Sequence, residues 1–136
     1  MKIFVPLRAT VSFREISDEE ETLEGQWYQA STETTIPNEP PTGSVVAVDP
    51  ANGETRWRFE MVTPTTGGML TTGGGLVFTG DGEGYLVALD ARTGKALWHF
   101  QTGGRIIAPP ITYTFNGKQQ ITITAGSSVL TFALVN

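Results

Sequence analysis

The sequence contains no cysteine and a single histidine, His99. Without thiols the chain forms no disulfide and has no cysteine nucleophile, and a lone histidine is more typical of a surface or packing position than of a base or metal ligand. Basic residues are also few, since nine Lys and Arg against 14 Asp and Glu give a net charge of −5. No basic patch is available to release counterions, which disfavours nucleic acid or an anionic membrane as a partner.

Long apolar runs are absent as well. No stretch approaches the roughly 20 residues of a membrane-spanning helix, and residues 1–7 are too short to hold the apolar core of a signal peptide. Much of the acid lies in residues 15–24, where we expect a solvated loop. Helical periodicity is missing, whereas 16 Gly and 8 Pro between short Val-, Ile- and Thr-rich runs indicate an all-β protein rich in turns.

The chain does contain an internal repeat. Residues 43–59 (GSVVAVDPANGETRWRF) and residues 84–100 (GYLVALDARTGKALWHF) lie 41 residues apart and agree at seven of 17 positions without a gap. A repeat of this length that ends in strands is typical of propeller blades. Because a ring needs at least four blades and 136 residues hold about three at this period, the sequence predicts a partial β-propeller.

Each copy of the repeat predicts a strand, a tight turn and a second strand. The apolar runs 45–48 and 86–89 have no polar face, which suits a strand covered on both sides. In the second strand the two aromatic residues of each copy are two positions apart, so both rings leave the same face and can pack against the next sheet. These aromatic residues are Trp57 with Phe59 and Trp98 with Phe100.

The turns of the two copies carry an aspartate and a glycine at equal positions. Asp49 and Asp90 are placed to accept hydrogen bonds from backbone N–H groups of the turn, and Gly53 and Gly94 stand where a short hairpin loop needs a positive φ. A catalytic site is not duplicated every 41 residues. We therefore expect both aspartates to cap turns rather than to act in catalysis.

The repeat predicts one partial propeller domain over residues 1–136. Residues 1–66 would form an incomplete blade, with strands at 2–7 and 11–13 and a long loop over 15–42. Residues 67–100 would form a complete blade of four strands. Residues 101–136 would form a final blade that lacks its outer strand and contains a hairpin at Asn116-Gly117, a pair typical of a type I′ turn.

The segments GGLVFTGDGEGYLVALDARTGKALWHFQTG and PPITYTFNGKQQITITAG resemble the C-terminal blades of pyrroloquinoline quinone (PQQ)-dependent alcohol and sugar dehydrogenases, the quinoproteins. The pattern A-x-D-x-x-x-G-x-x-x-W at 47–57 and 88–98 resembles the tryptophan docking motif between blades of that family. The resemblance implies an eight-bladed propeller that holds PQQ and a calcium-type ion on its axis. It also implies oxidation of an alcohol or a sugar in the periplasm.

The resemblance does not supply a catalytic residue or a metal ligand in this chain, because the family carries them in earlier blades. It leaves Thr65, Thr66, Gly67 and Gly68 as candidates to line an axial PQQ site. Thr66 stands where the family commonly has a tryptophan beside the quinone, and Ser127 and Ser128 occupy the region of another. The alternative for the four candidates is a glycine-rich turn that leads into the inner strand.

Other candidate residues carry weaker signals. Asp81 and Glu83 form a D-G-E-G loop, but two carboxylates make a poor calcium site, and a solvated hairpin loop is the better interpretation. Arg105 follows two glycines and is a weak signal for an anion site.

Two functions remain open. The chain is either part of a PQQ-dependent dehydrogenase or a non-enzymatic PQQ-repeat scaffold of the outer-membrane assembly type. In both cases we expect its partners to be missing propeller blades or other copies of the chain. We expect no tight PQQ binding and no turnover by this chain alone, because no base or metal ligand is identifiable in it.

Overall fold

The computed structural model describes residues 3–9, 24–25, 41–65 and 67–134. All regular structure in these residues is β, and none of them forms a helix long and apolar enough to cross a membrane. The predicted all-β class is therefore confirmed. The strands are β1 Ile3–Ala9, β2 Thr42–Val48, β3 Thr55–Met61, β4 Met69–Thr71, β5 Leu76–Gly80, β6 Tyr85–Asp90, β7 Ala96–Gln101, β8 Ile111–Phe115, β9 Lys118–Ala125 and β10 Ser128–Ala133.

The strands form three antiparallel sheets that follow one another along the chain. The first sheet has the order β1-β2-β3, the second β4-β5-β6-β7 and the third β10-β9-β8. The two copies of the repeat supply β2 with β3 and β6 with β7, and each pair has a register shift at the same place, after Ala47 and after Ala88. Equal sequence therefore gives equal pairing in successive sheets, as a partial propeller requires.

The apolar runs of the repeat lie inside the protein, as predicted. Val45 to Ala47 in β2 and Leu86 to Leu89 in β6 are all buried. Since side chains alternate between the two faces of a strand, burial of consecutive residues means that both faces are covered.

The core consists of two layers, one at each junction between sheets. The second sheet contributes to both layers, because one face of it meets the first sheet and the other meets the third. The layer between the first and second sheets contains the buried residues Val45, Ala47, Trp57, Met61, Val77, Val87 and Leu89. The layer between the second and third sheets contains Leu86, Ile106, Ile123 and Ala125, with Leu130 and Phe132 packed against it.

The turns of the repeat have the predicted chemistry. Asp49 Oδ1 accepts the N–H of Ala51 at 3.0 Å, and Asp90 Oδ1 accepts the N–H groups of Arg92 at 2.9 Å and Thr93 at 2.8 Å. The two glycines have φ values of +75° at residue 53 and +74° at residue 94. Both aspartates therefore cap turns.

The third sheet contains the predicted hairpin. Asn116 has φ +49° and Gly117 has φ +75°, and Phe115 pairs with Lys118 across them, as in a two-residue type I′ turn. The strand predicted near the N-terminus corresponds to β1, which pairs with β2. The strand predicted at 11–13 lies outside the described residues, as does most of the loop predicted over 15–42.

Candidate functional site

The candidate residues lie in the connection from β3 to β4. This connection contacts the turn between β5 and β6 and the connection from β7 to β8. We call residues 63–65, 67–68, 80–84 and 102–109 together the glycine-packed end, because glycines mediate the contacts between these segments. The segments belong to successive sheets, so this end lies where consecutive sheets meet.

Thr65 is buried and is held by hydrogen bonds within this end. Its side chain is 4% exposed, and its hydroxyl lies 2.6 Å from the carbonyl oxygen of Gly80 and 3.3 Å from that of Gly67. Thr65 therefore fastens the connection to the end of β5. Its hydroxyl is engaged within the fold, so it has no free hydrogen to offer to a ligand.

Gly67 and Gly68 are positions of close approach to the next connection. A Cβ on Gly67 would lie 3.2 Å from the carbonyl oxygen of Ala108, and a Cβ on Gly68 would lie 2.9 Å from Cβ of Pro109. A larger residue would therefore push the connection from β7 to β8 away. Thr66, the fourth candidate, lies outside the described residues.

The prediction that Asp81 lies in a solvated loop is wrong. Asp81 is 4% exposed, whereas Glu83 in the same loop is exposed as expected. Its Oδ1 accepts the N–H of Tyr85 at 2.8 Å, and its carbonyl oxygen accepts the N–H of Ile106 at 3.1 Å. Asp81 thus organises the β5–β6 turn and joins it to the connection from β7 to β8. The D-G-E-G sequence alone does not predict this role.

Glycines on both sides of Asp81 permit this packing. A Cβ on Gly80 would overlap the side chain of Ile106, which is fully buried. Gly84 has φ +88°, and a Cβ there would lie 2.5 Å from the carbonyl oxygen of Gly104. Gly104 in turn leaves no room for a side chain, because its Cβ would lie 2.9 Å from Ala125. Stacking of the second sheet on the third therefore depends on small residues here.

The described residues at this end do not fit a complete quinone and metal site. Within residues 3–9, 24–25, 41–65 and 67–134 no three His, Asp or Glu side chains come together to hold an ion. The buried hydroxyl of Thr65 bonds to Gly80, and the space above Gly67 and Gly68 is filled by the next connection. What these residues provide is a closely packed end of the sheets.

The tryptophans of the repeat lie at the two junctions between sheets. Trp57 is 9% exposed, its indole N–H donates to the carbonyl oxygen of Ala91 at 3.1 Å, and its ring lies against Gly94. Trp98 is 39% exposed and packs edge-on against Phe132 of β10, with centroids 5.4 Å apart. Both tryptophans therefore contact the following sheet, but only Trp57 reaches a glycine turn among the described residues.

The remaining candidates have structural surroundings. His99 is exposed and its ring contacts Tyr85 edge-on, with centroids 6.1 Å apart. Arg105 is exposed beside Gly82. The pKa of Asp49 is lowered by its hydrogen bond to Arg56, and the pKa of Asp90 is lowered by its hydrogen bonds to Thr93, so both stay ionised as turn caps.

Several known proteins that are similar to this chain are quinoprotein dehydrogenases. The chain is 48% identical over 84 residues to the quinoprotein ethanol dehydrogenase of Pseudomonas aeruginosa. The aligned segment covers 62% of this chain but only 14% of that enzyme. The crystal structure of quinohemoprotein alcohol dehydrogenase from Comamonas testosteroni matches 94% of this chain and 21% of that chain, with a TM-score of 0.76 and 29% identity. The chain is thus similar to a short part of these enzymes and folds as a partial β-propeller of their type.

A second group of similar proteins is not enzymatic by name. The crystal structure of BamB from Moraxella catarrhalis covers 68% of this chain and 30% of that chain, with a TM-score of 0.57 and 18% identity, which is evidence of a shared fold alone. The PQQ_2 family model, described as outer membrane protein assembly factor BamB, matches residues 41–133. This match extends over more than half of the sequence, and the chain belongs to the PQQ_2 family of propeller repeats.

Proposed function

We propose that this chain forms sectors of the propeller of a PQQ-dependent dehydrogenase that oxidises an alcohol or a sugar. The observation that carries the proposal is the 48% identity over 84 residues to a quinoprotein ethanol dehydrogenase. The structural match to a quinohemoprotein alcohol dehydrogenase over 94% of the chain supports it, because both comparisons lead to the same class of enzyme.

In this proposal the chain is a scaffold rather than the catalytic part. The described residues contain no cluster for a calcium-type ion, and their aspartates hold turns, so the base and the metal ligands would come from other blades. PQQ, once bound in the complete ring, would supply the oxidising group. Thr65, Gly67 and Gly68 would then shape the part of the axial site nearest to this chain through their packed backbone rather than through a free hydroxyl, and Thr66 stays a candidate from the sequence alone.

The contact of Trp57 with Ala91 and Gly94 is, in this proposal, a tryptophan docking contact between blades. Trp98 and Phe100 support the presence of further blades, because they remain 39% and 44% exposed although Phe132 packs against both. A fourth strand of the third sheet, paired with β10, would cover the rings of Trp98 and Phe100. The partners would therefore be other blades of the same protein or other copies of the chain, and the compartment would be the periplasm.

The alternative is a propeller that binds no cofactor and acts as an assembly scaffold. It is favoured by the family description and by the fold shared with BamB. It is less well supported, since that structural match has 18% identity whereas the dehydrogenase match in sequence has 48%.

A graft into the relative tests the proposal. The aligned 84-residue segment of the P. aeruginosa enzyme is replaced by the matching residues of this chain, and ethanol-dependent dye reduction is measured after addition of PQQ and calcium. We expect the graft to fold and to reduce the dye. The isolated chain, treated in the same way, should not reduce it.

A matched graft from BamB serves as the control, because it has the same fold with lower identity. A graft from this chain that folds but neither binds PQQ nor reduces the dye would contradict the dehydrogenase assignment. Dye reduction by the isolated chain would contradict the scaffold role.

A further inference from the structure

The sequence contains two Asn-Gly pairs, Asn52-Gly53 and Asn116-Gly117. Both pairs lie in hairpin turns, all four residues are exposed, and neither glycine has another atom within 4 Å of the position that a Cβ would take. Asn-Gly is chemically labile because the glycine nitrogen meets no side chain of its own when it attacks the amide carbon of the preceding asparagine. Sequence and exposure alone therefore give the two pairs equal reactivity.

Hydrogen bonding distinguishes the two pairs. At the first pair the N–H of Gly53 donates to the carbonyl oxygen of Asp49 at 2.8 Å, and Asn52 Oδ1 accepts the N–H of Glu54 at 3.0 Å. The nucleophile and the amide that it would attack are thus both held. The side chain of Asp49 tightens the same turn by accepting the N–H of Ala51.

The second pair has no such restraint. Asn116 and Gly117 occupy the two loop positions of the hairpin between β8 and β9, and the strands pair on either side of them. Within the described part of the chain, neither the side chain of Asn116 nor the N–H of Gly117 has a hydrogen-bond partner. The attacking nitrogen and the amide group are therefore both available.

We propose that Asn116 is a site of spontaneous deamidation in the folded protein and that Asn52 is protected. The nitrogen of Gly117 loses its proton and bonds to Cγ of Asn116, and the side-chain amide leaves as ammonia, which gives a cyclic succinimide. Water then opens the ring at either carbonyl, leaving aspartate or isoaspartate. No oxidant or reductant takes part, and the net change is addition of water and loss of ammonia.

The isoaspartate product changes the fold locally. It routes the backbone through the side-chain carbon and so adds one methylene to a loop whose two residues both have positive φ. A type I′ turn sets the register of the strands that it joins, so the longer loop should disturb the pairing of Phe115 with Lys118. The edge strand β8 would be the first element to loosen. The inference does not depend on the proposed function.

Peptide mapping of the whole chain tests the inference. The purified protein is incubated in mildly alkaline buffer, and the acid products at residues 52 and 116 are quantified by mass spectrometry over time. Two hydrogen bonds must open before Asn52 can react, and each lowers the population of the open, reactive turn by roughly a factor of five. We therefore expect conversion at Asn116 to be at least about tenfold faster than conversion at Asn52. The same incubation in denaturant should bring the two rates close together, because the turn at residues 49–53 is then lost.

Two variants separate structure from sequence. Asp49→Ala loosens the first turn and should speed conversion at Asn52 while the rate at Asn116 stays unchanged. Asn116→Gln removes the labile pair. After long incubation, amide exchange in β8 should be faster in the wild type, whereas in this variant it should stay at its starting rate. Equal rates at the two sites in the folded protein, or a faster rate at Asn52, would overturn the proposal.

Discussion

The indole N–H of Trp57 donates to the carbonyl oxygen of Ala91 over 3.1 Å and so ties the outer strand of the first sheet to a turn of the second. The two residues are 34 positions apart in the sequence. The repeat explains why they meet, because the turn that carries Ala91 is the equivalent of the turn that precedes Trp57 itself. Each copy of the repeat therefore carries both a tryptophan and a turn of the kind that accepts one.

Replacement of Trp57 by phenylalanine should destabilise the protein. The change removes a hydrogen bond worth about 1 kcal/mol and part of a ring that is 9% exposed. Trp98→Phe is the matched control, because Trp98 is 39% exposed and its ring contacts, within the described part of the chain, are with Phe100 and Phe132. Urea unfolding should give the larger loss for Trp57→Phe, and equal losses would contradict the docking role of Trp57.

Gly94 and Gly53 allow steric contact to be separated from backbone strain. Both glycines have nearly the same positive φ, so Ala costs roughly 1 to 2 kcal/mol at either position. At Gly94 the new Cβ would also lie 2.6 Å from the ring of Trp57, whereas at Gly53 it meets nothing within 4 Å. Gly94→Ala should therefore destabilise the protein by about 1 to 3 kcal/mol more than Gly53→Ala. Equal unfolding midpoints for the two variants would contradict the structure.

Replacement of Thr65 by valine should loosen the glycine-packed end. The variant keeps the shape of the side chain but leaves the buried carbonyl oxygen of Gly80 without its 2.6 Å partner, at a cost of about 1 to 3 kcal/mol. Thr65→Ser retains the hydroxyl and serves as the control. Amide exchange should be faster in the β5–β6 turn of Thr65→Val only, and unchanged exchange there would show that the hydroxyl does not hold this end.

The turn cap at Asp90 predicts a dependence of stability on pH. Hydrogen bonds from the hydroxyl and the N–H of Thr93 lower the pKa of Asp90 below its ordinary value of 3.8. A carboxyl group with a lowered folded-state pKa stabilises the protein above the unfolded value, and this contribution is lost as the pH falls through the folded value. The advantage of wild type over Asp90→Asn should therefore be full near neutral pH, begin to shrink as the pH falls below 3.8, and vanish only below the lower pKa of the folded state.

Thr93→Val provides the control for that measurement. It removes the hydroxyl that contributes most to the lowered pKa, so its stability should vary less with acid than that of the wild type. A gap between wild type and Asp90→Asn that is constant from about pH 6 to about pH 2.5 would contradict this account.

The repeat makes much of the fold predictable from the sequence. A strand whose consecutive residues are all apolar, followed by an aspartate, a glycine and two alternating rings, predicts β2 with β3 and β6 with β7, and both pairs are present. Asn116-Gly117 predicts its hairpin in the same way, because few dipeptides accept two positive φ angles. These features depend on neighbours in the sequence.

The packing of the glycine-packed end was not predictable in this way. The sequence places Asp81 in a solvated loop, but Asp81 is buried and bonds to Ile106, which lies 25 positions later and reaches it only when two sheets stack. Gly80 and Gly84 flank Asp81 in the sequence, and their small size was the available signal of close packing. The different surroundings of Trp57 and Trp98 depend equally on what the following sheet presents.

Trp57 stacks the first sheet on the second, as in a propeller. The most direct test is the NMR signal of Gly94, which lies against the Trp57 ring while the equivalent Gly53 does not. We expect nuclear Overhauser contacts from the ring of Trp57 to the Gly94 α-protons and a ring-current shift that Gly53 lacks. Ordinary shifts at both glycines, with no contact to Trp57, would contradict this stacking.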